Sequence, residues 1–493
     1  MFTLPNVQGR YEVGCTTFAA TLPQEITIPS SKYKSSHIPG RVAHTPVLTM
    51  KQIAFTAFYP ADIDSLRGSR SARKPRKTVP WLSGSVKEIL RGYAHFGKVS
   101  FWMVYLLCRG LASHFKLPAY PNAPLLPPSR GKDNHGQPWP LVIFSHGLGG
   151  TRTNYSHICS RLASQGRVVL AIEHRDGTAP CVAKELPLSG LEKGFRPEYR
   201  HYTTVDDVYW EVDTGDKYAF KAEQLLYRRL EVYLTHRYLK ALVESSATAF
   251  SSNVSHDPHF GTVDGPWNFN LDHRPDDSAF WSSWRRDSST NVPPVDCTTN
   301  IDLAGHSFGG ATVLSVLSQP PPYFSDKQFE PIAFKHALVL DPWMEPLPTP
   351  GPSPWKVEAS LQSSPHSPKL FVINSEGFTL WDDHFDRLKG VVQIWRQHLL
   401  NPDDAGLVTI IRCKHISFSD FGVLIPFGRR AKEGKKLADI IFDLSDPFLD
   451  DRLGDTFKYH QLREDKTEEI KPKGAMDWSR RFVGELGDLI KHL

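Results

Sequence analysis

Hydrophobic and polar positions repeat along this chain with two periods, and the period switches many times. Between Ile53 and Pro60, the residues Ile53, Phe55, Ala57 and Tyr59 alternate with Ala54, Thr56 and Phe58, a period of two that predicts an early strand closed by Pro60. Leu141–Phe144 is a short unbroken apolar run, which suits a strand buried on both faces. Tyr155, Ile158, Cys159, Leu162 and Ala163 then share one helical face, with Gly166 placed to stop the helix, and Val168–Ile172 reads as another buried strand. A long helix is expected from about Asp216 to Leu242, with Leu226, Leu230, Tyr233 and Leu234 as its apolar stripe. The pattern continues with a strand at Ile301–Ala304, a helix at Ala311–Leu317, and strands at Ala337–Leu340, Leu370–Ile373 and Leu407–Ile411. Trp478–Leu493 closes the chain with an amphipathic helical pattern. Repeated strand–helix–strand units predict the α/β class: a mostly parallel central sheet with helices on both faces.

Three stretches interrupt this pattern and are expected to be exposed insertions on a single domain covering residues 1–493. Residues 62–80 carry Arg67, Arg70, Arg73, Lys74, Arg76 and Lys77; residues 245–298 are rich in Ser, Asp, Asn and Pro; residues 345–368 are rich in Pro and Ser. No internal repeat is visible.

The chemistry concentrates at Gly305-His306-Ser307-Phe308-Gly309-Gly310. A bare GxSxG pattern is weak evidence. Here it follows an apolar strand and precedes a helix, the setting of a nucleophile elbow, and its glycines leave room for the strained turn. The fold expected is therefore the α/β-hydrolase fold, with Ser307 as nucleophile. A serine hydroxyl needs a base, and the base needs an orienting acid. In this fold the chain order is Ser, acid, His. Asp341 ends the strand Ala337–Leu340, and His415 follows the strand Leu407–Ile411 in a late loop. Among the other histidines after Asp341, His384 and His398 read as helix-surface or loop residues, His366 lies in an insertion, and His460 and His492 lie near the end. The oxyanion needs two backbone N–H donors. Phe308, after the nucleophile, is one; Leu148, in the loop Ser145-His-Gly-Leu-Gly-Gly150 after the strand Leu141–Phe144, is the other. That glycine run has no phosphate-binding lysine or nucleotide fingerprint beside it.

Composition narrows the picture a little. Forty per cent hydrophobic and 23% charged residues over 493 positions allow a sizeable core. A balance of 58 basic to 53 acidic residues gives a net +5, too mild to argue for nucleic acid. Six cysteines without a CxxC pair suggest neither a disulfide framework nor a zinc site, and no metal or cofactor is expected. The first residues lack a basic start followed by a long apolar run, so no secretory signal is expected, and Phe101–Cys108 is too short to cross a bilayer. The expectation is a cytoplasmic protein with peripheral membrane contact. Residues 85–115 mix Ile89, Leu90, Tyr93, Phe96, Phe101, Trp102, Leu106, Leu107 and Leu111 with Lys87, Arg91, Lys98 and Arg109, as an interfacial helix would, and a second basic group lies within 426–436, from Arg429 and Arg430 to Lys436. A core helix and a solvated loop remain the alternative for these two segments.

Several segments taken in order resemble the platelet-activating-factor acetylhydrolase family of plasma and type II intracellular lipases. They are Tyr11-Glu-Val-Gly-Cys15, Phe144-Ser-His-Gly-Leu-Gly149, Glu173-His-Arg-Asp176, Gly305-His-Ser-Phe-Gly-Gly-Ala-Thr312, Leu340-Asp-Pro-Trp-Met344, Phe371-Val-Ile-Asn-Ser-Glu376, and His415 followed by Phe418, Asp420 and Phe421. The resemblance implies calcium-independent hydrolysis of short or oxidised sn-2 acyl groups of glycerophospholipids. It assigns Ser307, Asp341 and His415 to the triad and Leu148 and Phe308 to the oxyanion site. The basic segment at 67–77, the inserts at 245–298 and 345–368, and Pro342 depart from the family's pattern and bear on the substrate entrance. Two other readings stay open: a general carboxylesterase on the same fold, since fold and triad do not set the substrate, and a non-catalytic lipid-binding protein, whose mark would be a missing triad member.

Overall fold

The computed structural model describes all residues except 1, 35–41, 68–76, 78, 83, 113, 133–134, 189–196, 213–214, 246–259, 264–277, 288, 325, 356–366, 425–426 and 472–478. The chain divides into two compact units. One comprises Met1–Ile301 with Pro321–Ile332, the other Asp302–Pro320 with Ala333–Leu493.

In the first unit, the long strands β1 (Val13–Tyr33) and β2 (Pro46–Pro60) pair antiparallel. Two helices follow, α1 (Val86–Phe96) and α2 (Phe101–Ala112). Next come β3 (Trp139–Ser145), α3 (Ser156–Ser164), β4 (Val168–Ile172), β5 (Val208–Trp210), α4 (Ala219–Glu244) and β6 (Phe260–Thr262). The strand order is β5-β1-β2-β4-β3, with β6 also paired to β1; β3 and β4 run parallel. These two strands are buried along most of their length because they are apolar on both faces, as a parallel pair covered by helices requires. Gly166 ends α3 as expected: its φ is +105°, and a Cβ there would press on the Trp139 ring at 3.0 Å.

In the second unit, β7 (Val295–His306), counted here from Asp302, leads directly into α5 (Phe308–Ser318). Then come β8 (Phe334–Leu340), β9 (Lys369–Ser375), the single turn α6 (Glu376–Thr379), α7 (Asp382–His398), β10 (Ala405–Ile410) and α8 (Gly428–Leu449). A hairpin of β11 (Thr467–Ile470) and β12 (Ser479–Phe482) precedes β13 (Leu489–Lys491). The order is β7-β8-β9-β10-β13; β8, β9 and β10 are parallel and β13 is antiparallel to β10. The apolar runs Leu338–Leu340 and Phe371–Ile373 are fully buried, each such side chain contributing about 1.5–3 kcal/mol. The elbow β7–Ser307–α5 and the parallel strands beside it are those of an α/β-hydrolase.

Three expectations need correction. The helix expected over Trp478–Leu493 is two strands: Trp478 lies outside the described residues, and from Ser479 the chain forms β12 and β13. Gly487, with φ +89°, breaks the helical pattern, and the Leu489–Lys491 segment finds a sheet edge on β10. The long helix is present as α4, but Leu226 is exposed, because Gln224, Arg228 and Glu231 take core-facing places that a hydrophobic stripe leaves unread. The 245–298 stretch is not uniformly exposed. Phe260, Val263, Phe280 and Trp284 are buried, and Trp284 packs edge-on against Tyr59 at 4.8 Å and Phe18 at 5.3 Å. Residues 246–259 and 264–277 of that stretch lie outside the described residues, as do Arg70, Arg73, Lys74 and Arg76 of the basic segment and 356–366, with His366, of the third insertion. In that third stretch Leu347 is buried.

Candidate active site

Ser307 stands at the end of β7 with φ 58° and ψ −118°, a conformation costly for any side-chain-bearing residue. The surroundings hold it there. Its N–H donates to the Leu340 carbonyl at 2.9 Å, and its own carbonyl accepts from Ala311 at 3.0 Å and Trp343 at 3.1 Å. The turn tolerates only glycine beside it: a Cβ on Gly305 would lie 2.3 Å from the Gly309 oxygen, and one on Gly310 would lie 3.0 Å from Pro342. The strain and the small neighbours push the hydroxyl out beyond the strand end.

Asp341 follows β8 directly and is fully buried. Its φ is +46°, and its N–H is tied to the Ile373 carbonyl at 2.8 Å. The carboxylate accepts three donors. The Ser375 N–H reaches Oδ1 at 2.7 Å; the Ser375 hydroxyl and His415 Nδ1 reach Oδ2 at 2.7 and 2.6 Å. His415 opens a short helical turn, His415–Phe418, and places Nε2 2.9 Å from Ser307 Oγ. With the carboxylate ionised, Nδ1 carries the proton and Nε2 accepts from the serine. Ser307, His415 and Asp341 thus form one continuous hydrogen-bonded chain. A hydroxyl in such a chain can lose its proton to the imidazole as it attacks an acyl carbon.

Two neighbours that sequence reasoning gave no role complete the site. Ser375 is the second support of Asp341. A serine at a strand end carries no pattern of its own, and its only signal is membership of the family-like segment Phe371–Glu376. His306 lies beside His415, ring centroids 4.5 Å apart, and burial holds its pKa well below the usual imidazole range. A neutral His306 adds no positive charge where His415 must become imidazolium. His306, Asp341 and His415 are close enough to bind a cation. Both nitrogens of His415 are already committed to Ser307 and Asp341, so the cluster fits proton transfer better than metal ligation. His384, expected at a helix surface or in a loop, is buried in α7 and its Nε2 accepts from the Met344 N–H at 3.2 Å, bracing the loop after Asp341. His398, in the same helix, bonds the Ile394 carbonyl.

Phe308 is the first residue of α5, where helix amides point toward developing negative charge. Leu148 belongs to the first unit and lies in the loop after β3. Gly147 donates to the Tyr155 hydroxyl at 3.2 Å, Gly149 to Thr178 at 2.9 Å and Gly150 to Gly147 at 3.1 Å. The Leu148 N–H has no partner among the described residues. A buried polar network backs this loop. Ser145 Oγ meets His174 Nε2 at 2.8 Å, and His174 Nδ1 meets Glu231. Arg228 pairs with Asp176 at 2.8 Å and donates to the His146 carbonyl at 2.6 Å. Ser145, His174 and Glu231 repeat the order hydroxyl–imidazole–carboxyl, but all three are fully buried and out of reach of any substrate. They brace the loop.

Burial also makes stability depend on acid. It lowers the pKa of His146 to about 3 and of His236 and His492 to about 4, and holds His174 and His306 well below the usual range. The unfolded chain protonates each near about 6.5, so below that pH it binds more protons than the folded one and stability falls. Each group then costs about 1.4 kcal/mol per pH unit until its folded pKa is reached. His384 and His460 are lowered by burial as well, and Glu231, raised by burial, pulls the other way. The melting temperature is expected to fall steadily from pH 6.5 to pH 4; a flat thermal-unfolding series over that range contradicts the neutral-histidine assignment.

Residues 40–244 and 294–442 match the protein family described as platelet-activating factor acetylhydrolase, isoform II. The chain belongs to that family. A putative phospholipase A2 of Schizosaccharomyces pombe is 26% identical over 389 residues, covering 78% of this chain and 73% of its own length. A platelet-activating factor acetylhydrolase of Gallus gallus is 28% identical over 349 residues, covering 70% of this chain and 65% of its own length. Among solved structures, a ferulic acid esterase from Streptomyces cinnamoneus is similar at 14% identity and a TM-score of 0.48, covering 92% of this chain and 94% of that one. Nothing about function follows from that last likeness. Family membership makes this chain a carboxylic ester hydrolase of the serine esterase and phospholipase kind.

Proposed function

We propose that this enzyme hydrolyses short or oxidised sn-2 acyl groups of glycerophospholipids, without calcium, through an acyl-enzyme on Ser307. The observation that carries the reading is the unbroken chain Ser307–His415–Asp341, at 2.9 and 2.6 Å. Ser307 attacks the ester carbonyl as His415 Nε2 takes its proton. Asp341 keeps the imidazole in the tautomer that can do so and stabilises the imidazolium. The Phe308 N–H holds one side of the oxyanion, and the sequence pattern assigns the second donor to Leu148. His415 returns the proton to the glycerol oxygen as the C–O bond breaks, then activates the water that releases the acid. The names of the relatives in chicken and fission yeast support a phospholipid substrate over a simple ester. The test is a panel of phosphatidylcholines with sn-2 chains from acetyl to long acyl, assayed with and without a calcium chelator. Rates that peak at the short and oxidised chains and ignore the chelator are expected; turnover of long chains or non-lipid esters alone rejects the substrate class.

We also propose a cytoplasmic enzyme that works on membrane surfaces. Among the described residues no helix is long and apolar enough to cross a bilayer. The described part of 85–115 holds two helices, α1 (Val86–Phe96) and α2 (Phe101–Ala112), rather than one. On α2, Trp102 is 65% exposed, Leu106 78% and Leu107 74%. Such a cluster is costly in water and suited to the headgroup boundary. Arg91 and Arg109 lie over the Phe101 and Tyr105 rings at 5.1 and 5.4 Å, placing cations beside the apolar face. Phe96, at the end of α1, abuts Gly149 of the Leu148 loop. In the second unit, exposed Phe427 opens the basic start of α8, where Arg429 and Arg430 are exposed; Pro426 lies outside the described residues. Replacing both leucines, L106S with L107S, is expected to lower hydrolysis of vesicle-borne phospholipid about 10- to 100-fold, as the loss of two partly inserted side chains implies. Hydrolysis of a dissolved short-chain ester stays unchanged. Equal losses on both substrates, or none on vesicles, count against docking through α2.

A further inference from the structure

The turn that follows β9 touches both the acid and the base of the site. Ser375, the last residue of β9, holds both oxygens of Asp341. The next residue, Glu376, is buried, and it fastens the segment that delivers His415. Its N–H donates to the Cys413 carbonyl at 3.2 Å. Its carboxylate accepts from the Arg412 N–H at 2.5 Å, from Arg412 Nη1 at 2.9 Å and from the Phe482 N–H at 2.9 Å. Arg412 has φ +61°, a left-handed turn that a non-glycine residue adopts only when its surroundings impose it. The guanidinium is held at its far end as well, Nη2 donating to the Gly484 carbonyl at 3.2 Å. Two residues after Glu376, Phe378 lies flat on His415, ring centroids 4.3 Å apart and planes within 9°. His306 also packs near the imidazole, ring centroids 4.5 Å apart, and is itself stacked on Phe418 at 5.4 Å.

We propose that Glu376 and Phe378 are positioning residues for His415, Glu376 by locking the Arg412–Lys414 turn and Phe378 by fixing the plane of the imidazole. The proposal rests on the reading of His415 as the base. Its physical need is plain. His415 is 38% exposed at its side chain and begins a four-residue helical turn in a loop, so its χ2 rotation is restrained by its two hydrogen bonds and by the rings packed against it. Two hydrogen bonds fix the directions of Nδ1 and Nε2 only while both partners are in place. When Ser307 becomes acylated, its bond to Nε2 is lost, and the ring must stay in plane to activate water. A flat aromatic face at 4.3 Å does this without consuming a ring nitrogen. The carboxylate of Glu376 does the same for the backbone without touching the reacting atoms.

The test is a set of Phe378 variants, because Phe378 is half-buried and its replacement leaves no deep cavity. On a dissolved short-chain ester, Phe378→Leu is expected to lower kcat about 10- to 100-fold, the scale of a misplacement near 1 Å, with KM within about twofold. The deacylation step, followed as decay of a pre-formed acyl-enzyme, slows by at least as much as acylation. Phe378→Tyr, which keeps the flat face, is expected to restore kcat to within about threefold of the parent. Glu376→Gln loses an acceptor for the Arg412 N–H and is expected to lower kcat likewise; should that variant unfold, the Phe378 pair still decides the matter. A Phe378→Leu enzyme with unchanged kcat, or a Phe378→Tyr enzyme as impaired as Phe378→Leu, overturns the proposal. Failure of the underlying reading shows itself differently: parent enzyme that carries no fluorophosphonate label, or His415→Ala enzyme that retains activity.

Discussion

Ser307→Ala is expected to lower kcat by about a millionfold, the scale on which triad enzymes lose activity with their nucleophile. It is also expected to abolish labelling by a fluorophosphonate. Ser307 Oγ is held 2.9 Å from His415 Nε2 by an elbow whose φ of 58° is maintained by three backbone hydrogen bonds, none of which involves the hydroxyl. Alanine meets the same backbone cost as serine, so the turn survives and only the reacting atom disappears. The loss of one hydrogen bond to a partly exposed imidazole changes stability by no more than about 1 kcal/mol. Equal melting temperatures with activity gone are the expected pair of results. A labelled or active Ser307→Ala protein places the nucleophile elsewhere.

The same elbow shows why this part of the site was legible in the sequence. A strained turn accepts few residues, so Gly305, Gly309 and Gly310 write its geometry into the chain, and the 2.3 Å clash that a Cβ on Gly305 would make is the physical form of the motif. The parallel strands are legible for a similar reason: strands covered on both faces must be continuously apolar, as β4 and the Leu370–Ile373 run of β9 are. Asp341 and His415 could be picked out because each follows such a strand, in the chain order that the fold demands.

What stayed hidden is what depends on contacts across space. Arg228 and Glu231 on α4 break the apolar stripe because their partners, Asp176, His174 and the His146 carbonyl, lie more than fifty residues away. Hydrophobic periodicity counts polar residues as solvent-facing and so places Leu226 on the core face, where it is not. At the end of the chain the spacing of Leu486, Leu489 and Ile490 fits a helix as well as a strand. The sheet edge offered by β10, together with the backbone bend at Gly487, decided for the strand. Trp284 and Phe280 sit in a serine- and aspartate-rich context whose average composition hides them, because burial is decided by the few large side chains that find a core. Ser375 belongs with these: nothing about a serine in Phe371–Glu376 announces that both its donors will meet one carboxylate.

Asp341→Asn is expected to cost about 10⁴ in kcat, and Ser375 is the reason the loss should be this large. Both oxygens of Asp341 face donors. Oδ1 faces the Ser375 backbone N–H, which cannot turn away, and Oδ2 faces the Ser375 hydroxyl and His415 Nδ1. An asparagine must put its NH₂ in one of these places. At Oδ1 it meets a fixed N–H and leaves two buried donors opposed. At Oδ2 the serine hydroxyl can rotate to accept, so the NH₂ settles there and points at Nδ1 of His415. The imidazole then keeps a bond only by accepting at Nδ1, which moves its proton to Nε2 and turns it toward Ser307 as a donor. The base is present in the right place and in the wrong tautomer. Binding is untouched, so KM is expected to stay within a few-fold while kcat falls, and acylation by a fluorophosphonate slows in parallel. The same logic excludes rescue by a second change: the double variant D341N with S375A keeps the backbone N–H at Oδ1 and so also places the amide at Oδ2, and it is expected to be no better than D341N alone. Recovery of activity in that double variant means that the Ser375 hydroxyl, not its N–H, places the amide; a single D341N enzyme within tenfold of the parent means that Asp341 does not set the tautomer of His415.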